Sequence, residues 1–347
     1  MATDRVTVSP FSWQDDTGLA IAGVCDVGCV RSENQDFMGY FERDGDVLVV
    51  VSDGMGGHQG GFEASRIAVA ACGEVFEGAS RKVSPQKLLG DAVKLANSRI
   101  RDRSRADRTL TGMGATVVMV LVRGGEYWFG HVGDSRAYLI NSDGTEKMTS
   151  DHSRVQMLID AGLLAPEKAK GHPLGHVLEY ALGIDESVEI DVSEKPMQLN
   201  PGDTLMLCSD GVWGLVEESE YRGILNGSSL DKCAERIVAR ALEMGGNDNA
   251  TAALLRFNGA ADTEELAEVS TIDTTPIRSA DEAPIVIGDD DDNDYDDSYE
   301  NEKTELVRTP NRVEESAPPK LEEAHLTDLA VSIFFVFAAV AAAIFFL

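Results

Sequence analysis

The stretch that most constrains the fold runs from Val47 to Gly61 and has the sequence VLVVVSDGMGGHQGG. Its uninterrupted run of apolar, mostly branched residues predicts a strand that is buried on both faces. The run leads directly into Asp53, and five glycines follow within the next eight residues. The sequence therefore predicts a carboxylate held at the end of a buried strand.

The same pattern occurs a second time, in the segment TLMLCSDG from Thr204 to Gly211. Two further aspartates, Asp134 and Asp248, lie in glycine- or asparagine-rich turns beside predicted strands. One Asp-Gly pair alone indicates an ordinary turn, because the aspartate side chain caps its own backbone. Four aspartates at strand ends indicate a shared role, since their mutual repulsion requires a cation if they converge.

Such a ligand set consists of oxygen atoms, which favours Mg²⁺ or Mn²⁺ over zinc. Gly54 has no side chain, so its carbonyl group can also face the metal. Two ions that share a carboxylate lower the pKa of a water molecule between them and supply a hydroxide nucleophile. Hydrolysis of a phosphate ester fits this chemistry, with Arg31 as the candidate ligand of the phosphate oxygens. The alternative for Arg31 is an ordinary surface arginine.

Other interpretations of the glycine-rich segment are weaker or stay open. The segment lacks the Lys-Ser/Thr ending of a nucleotide-binding P-loop. His58 is either a general acid or a residue that hydrogen-bonds the backbone, and the sequence does not decide between them. The five cysteines show no zinc-binding or disulfide pattern, and they are expected to be reduced.

Composition divides the chain into four regions. We expect an N-terminal extension at residues 1–16, a globular domain at 17–258, an acidic disordered linker at 259–325 and a membrane anchor at 326–347. Within the domain, the stretch from Ala115 to Ile140 predicts three strands of an antiparallel meander.

The charge distribution supports the predicted linker. Residues 261–325 contain 21 acidic and 5 basic residues, whereas residues 1–260 contain 38 and 25. A segment with so many like charges and so few apolar residues is typical of disorder. The excess of negative charge also argues against nucleic-acid binding.

The C-terminal segment from Leu329 to Leu347 has 19 residues and no charge. As a helix it would be ~28 Å long, close to the thickness of the hydrocarbon core of a bilayer. A buried core helix is the alternative, but a helix that follows a disordered linker has no core to enter. We therefore expect a single-pass anchor in the cell inner membrane. Because residues 1–16 contain no signal-peptide core, we expect the globular domain to be cytoplasmic.

Six separate motifs of the globular domain resemble one known family. In chain order they are Arg31-Ser-Glu-Asn-Gln-Asp36, Ser52-Asp-Gly-Met-Gly-Gly-His58, Gly112-Met-Gly-Ala-Thr116, Val132-Gly-Asp-Ser-Arg136, Ser209-Asp-Gly211 and Asp248-Asn249. Their order and spacing are similar to those of the type 2C, metal-dependent serine/threonine protein phosphatases, in their bacterial branch. The resemblance covers about Gly18 to Phe257 and says nothing about the linker or the anchor.

This resemblance implies an α+β fold, a four-layer α-β-β-α sandwich of two antiparallel sheets flanked by helices. It also implies a flap insertion at about residues 153–190. Two Mn²⁺ or Mg²⁺ ions are expected at one edge of the sandwich, with a third ion held more weakly.

The resemblance also implies a role for each candidate residue. Asp53 would bridge the two ions, Gly54 would offer its carbonyl oxygen, and Asp210 and Asp248 would complete the pair. Asp36 would act through water, Asp134 would join Asp210 at the third ion, and Arg31 would bind the phosphate. The chain departs from relatives that carry a histidine shortly after Asp-Gly, because His58 comes two glycines later; water is then a reasonable acid.

The sequence thus predicts a membrane-tethered phosphatase that acts on phosphoserine or phosphothreonine of cytoplasmic proteins and opposes a serine/threonine kinase. The alternative is a non-catalytic, phosphatase-like scaffold or binding module at the membrane. The sequence does not name the substrate, the kinase, the physiological metal or the oligomeric state.

Overall fold

The structure of the protein is a computed structural model that describes residues 8–15, 18–169, 171–175 and 177–259. The predicted linker from residue 260 on and the predicted anchor lie outside these residues. Among the helices of the described part, none combines the length and the apolar character needed to cross a membrane.

Two antiparallel sheets form the centre of the fold. The first has the order β1-β2-β13-β12-β8-β9, and the second has the order β10-β7-β6-β4-β3, with β11 beside β7 and β5 beside β4. The strands are β1 (Val8–Gln14), β2 (Leu19–Asp26), β3 (Asp36–Arg43), β4 (Asp46–Met55), β5 (Gly114–Ala115), β6 (Val117–Arg123), β7 (Glu126–Val132), β8 (Arg136–Ile140), β9 (Thr145–Lys147), β10 (Asp191–Val192), β11 (Met197–Gln198), β12 (Thr204–Cys208) and β13 (Ala250–Phe257).

Helices cover the outer face of each sheet. The long helices α1 (Gly57–Gly78) and α2 (Pro85–Ala106) pack on the second sheet. On the first sheet lie α4 (Asp210–Trp213), α5 (Glu218–Leu225) and α6 (Leu230–Glu243), while α3 (Arg154–Asp160) belongs to the segment predicted as a flap. The predicted arrangement of two antiparallel sheets with flanking helices is confirmed.

Strand β4 shows why its sequence is apolar throughout. Val47, Val49 and Val51 point into the core between the two sheets, whereas Leu48 and Val50 face the helices. Alternate residues of a strand point to opposite faces, so a strand between two apolar layers needs apolar residues at every position. The strand therefore fixes the end of the second sheet from which Asp53 projects.

Two local expectations differ from the structure. Strands β7 and β8 do not pair, because the chain passes from the second sheet to the first between Val132 and Arg136. The turn uses Gly133 at φ +97, a conformation that glycine adopts at no steric cost. Residues 8–14, assigned to an N-terminal extension, form the edge strand β1, which continues the first sheet beyond β2.

The segment predicted as a flap is fastened to the body of the fold at its C-terminal end. Leu182 exchanges two backbone hydrogen bonds with Ala115, at 2.8 and 3.1 Å. The buried Asn97 of α2 accepts a hydrogen bond from Gly183 N at 2.7 Å and donates to the carbonyl oxygen of Asp185 at 3.0 Å. The backbone hydrogen bonds of Leu182 and the side chain of Asn97 together hold this end of the segment to the sandwich.

Candidate metal centre

The predicted site residues lie where strands of both sheets end. Asp36 and Asp53 face each other as paired residues of β3 and β4 in the second sheet. Asp210 directly follows Ser209 after β12, and Asp248 lies two residues before β13 in the first sheet. Asp134 lies in the turn through which the chain passes from the second sheet to the first. Five carboxylates therefore lie toward one edge of the sandwich.

Asp36 is the most deeply buried of these carboxylates, with 2% of its surface exposed. Ser209 Oγ donates a hydrogen bond to Asp36 Oδ2 at 2.6 Å, and the Thr251 hydroxyl lies 2.7 Å from the same oxygen. Within the described part of the chain, the buried Asp36 Oδ1 has no hydrogen-bond partner. Burial raises the pKa of Asp36 to about 7, and the negative charges of Asp210 and Asp248 act in the same direction.

Asp53 shows that the carboxylates act on one another. Burial raises the pKa of Asp53 well above its usual value, and the charges of four neighbouring aspartates raise it further. In order of effect, these neighbours are Asp36, Asp210, Asp134 and Asp248. The repulsion between these ionised carboxylates would be relieved by a cation held between them.

Asp134 is buried, and its backbone is held by an aromatic side chain. Trp213 Nε1 donates a hydrogen bond to Asp134 O at 2.9 Å, and the guanidinium carbon of Arg136 lies 3.5 Å from the centre of a Trp213 ring. Arg136 in turn forms a two-pronged ion pair with Asp151, at 2.6 and 2.9 Å. Burial and the charge of Asp210 raise the pKa of Asp134 to about 8.

The serines of the two Ser-Asp-Gly sequences have similar surroundings. Both serines are fully buried, and each hydroxyl donates to a neighbouring strand or ligand residue. Ser52 Oγ donates to Thr116 O at 2.6 Å, just as Ser209 Oγ donates to Asp36. Thr116 Oγ1 also accepts from Asp53 N at 3.0 Å, which fixes the backbone of that aspartate.

The glycines of the two sequences are required for close packing. A Cβ atom on Gly54 would lie 1.9 Å from Gly61 O, and one on Gly211 would lie 1.9 Å from Asn249 O. The structure therefore gives Gly54 a steric reason that the sequence did not suggest: the first turns of α1 lie directly against it. Helix α1 begins at Gly57, within the glycine-rich segment, because these glycines let strand and helix approach closely.

Arg31 lies at the exposed side of the site and pairs with Asp248. Its Nη2 atom donates to Asp248 Oδ2 at 2.8 Å. The loop that carries Arg31 is held by Asn249, whose Nδ2 donates to Val27 O and Glu33 O, both at 2.9 Å. Asn249 Oδ1 accepts a hydrogen bond from Gln35 N at 2.8 Å. One asparagine therefore positions the whole loop relative to Asp248.

Three further side chains link the Asp134 turn to the flap. His152 Nδ1 accepts from Gly133 N at 3.3 Å, and its Nε2 lies 3.4 Å from a carboxylate oxygen of Asp191. His131 stacks on His152 with a ring separation of 4.6 Å, and its Nε2 bonds Ser150 O at 2.8 Å. Burial lowers the pKa of His131 to about 4, so this ring is neutral near pH 7.

The residues fit divalent metal ions. The donors are carboxylate oxygens, the ligand class of Mg²⁺ and Mn²⁺, and the unbonded Asp36 Oδ1 faces no protein donor among the described residues. Burial, together with the charges of neighbouring aspartates, raises the pKa of Asp36, Asp53 and Asp134, and a bound cation would favour their ionised forms. His58 lies in the first turn of α1, and its role stays open.

Sequence reasoning missed the residues that orient the carboxylates. Ser209, Thr251, Asn249, Thr116 and Trp213 all contact the site, yet none was predicted to act there. Two signals were present: the serine is common to both Ser-Asp-Gly sequences, and Asn249 directly follows Asp248. The contacts of Thr251 and Trp213 arise only from the pairing of distant strands.

Comparison with known proteins decides the family. The family model described as protein phosphatase 2C matches residues 30–254. The serine/threonine phosphatase stp of Listeria welshimeri is 34% identical over 238 residues, which cover 67% of this chain and 94% of that protein. The chain belongs to the protein phosphatase 2C family. The predicted family and the predicted enzyme class, a serine/threonine protein phosphatase, are thus confirmed.

Solved structures support the same assignment. The serine/threonine phosphatase Stp1 of Staphylococcus aureus superimposes with a TM-score of 0.66 at 30% identity, covering 73% of this chain and all of that one. The catalytic domain of the phosphatase PstP, in complex with two manganese ions, gives a TM-score of 0.59 at 30% identity, covering 69% of this chain and 97% of that one. The predicted class of cofactor, Mn²⁺ or Mg²⁺, is thereby confirmed for the family.

Proposed function

We propose that this protein is a membrane-tethered phosphatase that uses a two-metal centre to remove phosphate from phosphoserine or phosphothreonine of cytoplasmic proteins. The observation that carries the proposal is the meeting of five carboxylates at one edge of the sandwich, with mutual electrostatic effects on Asp36, Asp53 and Asp134. A cluster of buried carboxylates is unfavourable in its ionised form unless a cation neutralises the charge.

Each carboxylate has a separate task in this proposal. Asp53 is held at its backbone by Thr116 and would be shared by two ions, with Asp210 and Asp248 completing the pair and Gly54 offering its carbonyl oxygen. Asp134 would join Asp210 at a third, weaker site. When bound, the ions lower the pKa of a water molecule and neutralise the phosphate oxygens.

Asp36 would act through water, and its surroundings suit that task. The hydrogen bonds to Oδ2 from Ser209 and Thr251 leave Oδ1 available to accept a proton from a water molecule in the site. Its raised pKa brings proton exchange into the neutral range in the absence of metal.

Arg31 would hold the phosphate group. Its guanidinium is half exposed and directed at Asp248, so it reaches the site from the solvent side. A guanidinium can bond two phosphate oxygens at once, which orients the phosphorus atom for attack from the side of the carboxylates. Binding of a cation by Asp248 would compete with the ion pair and release Arg31 for substrate.

The membrane attachment is supported by sequence alone. The uncharged segment 329–347 has the length of a membrane-spanning helix, and the acidic linker before it would span ~45 Å as a coil. Such a tether raises the effective concentration of substrates near the membrane, including proteins phosphorylated by a membrane-bound kinase. Cell fractionation tests this part: recovery of the full-length chain in the soluble fraction would contradict it.

Release of phosphate from a phosphothreonine peptide tests the catalytic proposal. The full-length protein with Mn²⁺ should release phosphate, and both EDTA and Asp210→Asn should reduce the rate by at least about 100-fold. Asp231→Asn, which makes the same change in charge on α6, is the matched control and should retain wild-type activity. Full activity of Asp210→Asn would refute the proposal, and metal binding without hydrolysis would favour the non-catalytic scaffold.

A further inference from the structure

Six large apolar side chains are exposed in the described part of the chain, and three of them lie in the segment predicted as a flap. The six are Val30, Phe62, Met157, Leu163, Ile184 and Met244. Single exposed apolar residues need no explanation, but those in segments next to a candidate site can contact a substrate. Val30, Met244 and Ile184 lie in segments that carry or contact candidate site residues, and they are called the apolar rim below.

Val30 is 71% exposed although its loop is firmly held. It directly precedes Arg31, and the backbone of the preceding Cys29 donates to Gly246 O at 2.7 Å. The same loop is bonded to Asn249 at three points. An aliphatic side chain held in water beside a phosphate-binding arginine is available to contact a substrate.

Met244 lies near Val30 on the side of the first sheet. It ends α6, and the turn after it, Gly245–Gly246, rests against Cys29. Met244 is 48% exposed, and its unbranched side chain adapts to different apolar partners. Val30 and Met244 therefore flank the Cys29–Gly246 contact on the Arg31 side of the site.

Ile184 lies on the opposite side, at the end of the second sheet. It is 48% exposed, and its Cδ1 atom lies 3.1 Å from the position that a Cβ on Gly114 would occupy. Gly114 pairs with Met55, two residues after Asp53. The Leu182–Ala115 hydrogen bonds and Asn97 hold this part of the flap. The site thus has apolar side chains on two sides.

We propose that the apolar rim binds aliphatic side chains on both sides of the phosphorylated residue of a protein substrate. This inference rests on the proposed function and specifies the substrate class. The exposed aliphatic side chains of the rim favour apolar flanking residues, and charge excludes acidic ones, because positions 1–260 hold 38 acidic and 25 basic residues. In a phosphopeptide with leucine beside phosphothreonine, the phosphate is the only charged group near the site. Arg31 and the metal ions would bind this phosphate.

The test compares three phosphothreonine peptides that carry leucine, alanine or glutamate on both sides of the phosphorylated residue. For the full-length protein with Mn²⁺, kcat/KM for the leucine peptide should exceed that for the alanine peptide by about 5- to 20-fold, as expected for burying about one to two methylene groups at an open rim. The glutamate peptide should be the poorest substrate. Equal values for the leucine and alanine peptides would overturn the inference.

Substitutions of the rim residues test whether the rim causes the preference for the leucine peptide. The double variant Val30→Ser, Met244→Ser and the single variant Ile184→Ser should each reduce the leucine preference by about 3-fold or more. Hydrolysis of p-nitrophenyl phosphate, which has no flanking residues, should be unchanged. Leu163→Ser is the matched control, because Leu163 is 75% exposed and lies outside the rim. An unchanged preference in both rim variants, or an equal loss in the control, would overturn the inference.

The same assays separate this inference from the proposed function. Hydrolysis of p-nitrophenyl phosphate without any peptide preference would leave the phosphatase function intact and refute the apolar rim. Absence of hydrolysis of every substrate would refute the function and the inference together.

Discussion

Replacing Asp36 by asparagine should stabilise the protein in the absence of metal. The pKa of Asp36 is about 7 in the folded protein, whereas an unfolded aspartate titrates near 3.9. Between these values the folded state holds a proton that the unfolded chain has released, so the free energy of unfolding falls as pH rises. From pH 5 to pH 8 this one group accounts for a loss of about 2–3 kcal/mol. Asparagine carries no charge at either pH, and its amide oxygen can still accept the Ser209 hydrogen bond.

The assay is thermal unfolding of the wild type and of Asp36→Asn in EDTA at pH 5 and pH 8. For a domain of this size the difference in Tm between variant and wild type should grow by about 5–10 °C over that range. Asp53 and Asp134 titrate in the same direction in both proteins. Because the charge of Asp36 also raises the pKa of Asp53, the difference reports Asp36 together with its effect on Asp53. Asp143→Asn, an exposed turn residue, controls for the change in net charge. If the Tm of Asp36→Asn differs from that of the wild type by the same amount at pH 5 and at pH 8, the reasoning is refuted.

Three further substitutions test separate contacts. Arg31→Lys keeps the charge but loses the two-pronged phosphate contact, so kcat/KM should fall by about 10-fold or more. Because Mn²⁺ at Asp248 would compete with the Arg31–Asp248 ion pair, calorimetry should show an Mn²⁺ affinity at least equal to that of the wild type; unchanged kinetics would contradict the assigned role. Asn97→Ala should lower the free energy of unfolding, measured in urea, by about 2–3 kcal/mol. Ser98→Ala, which changes the exposed neighbouring residue, should change it little. Trp213→Phe removes the hydrogen bond to Asp134 O, so more Mn²⁺ should be needed for full activity; an unchanged Mn²⁺ dependence would show that this bond does not position Asp134.

Much of the fold was predictable, because the local patterns agree with the final structure. The uninterrupted apolar run of β4 indicated a strand buried on both faces, and the order of the motifs indicated two sheets covered by helices. The exchange of sheets between β7 and β8 was not predictable, since two strands joined by a short turn usually pair. Gly133 allows the chain to turn away, and this turn brings Asp134 to the edge that carries Asp53.

The candidate site was predictable at its charged residues and not at their supports. Aspartates in repeated contexts stand out in a sequence, whereas Thr251 contacts Asp36 only because β13 pairs with β2 beside the end of β12. For Gly54 the structure adds a steric reason to the predicted role of its carbonyl oxygen, which stays a prediction. Its contact with Gly61 depends on α1 beginning at Gly57, within the glycine-rich segment, where an apolar helical period is absent.

The most direct test of the central claim is a calorimetric titration of the full-length protein with Mn²⁺, followed by a phosphate-release assay on the same samples. The wild type should bind at least two ions and hydrolyse a phosphothreonine peptide, and Asp53→Asn should lose both properties because the shared ligand is gone. Hydrolysis by the wild type in EDTA, or metal binding and hydrolysis by Asp53→Asn at wild-type levels, would contradict a metal centre built on Asp53.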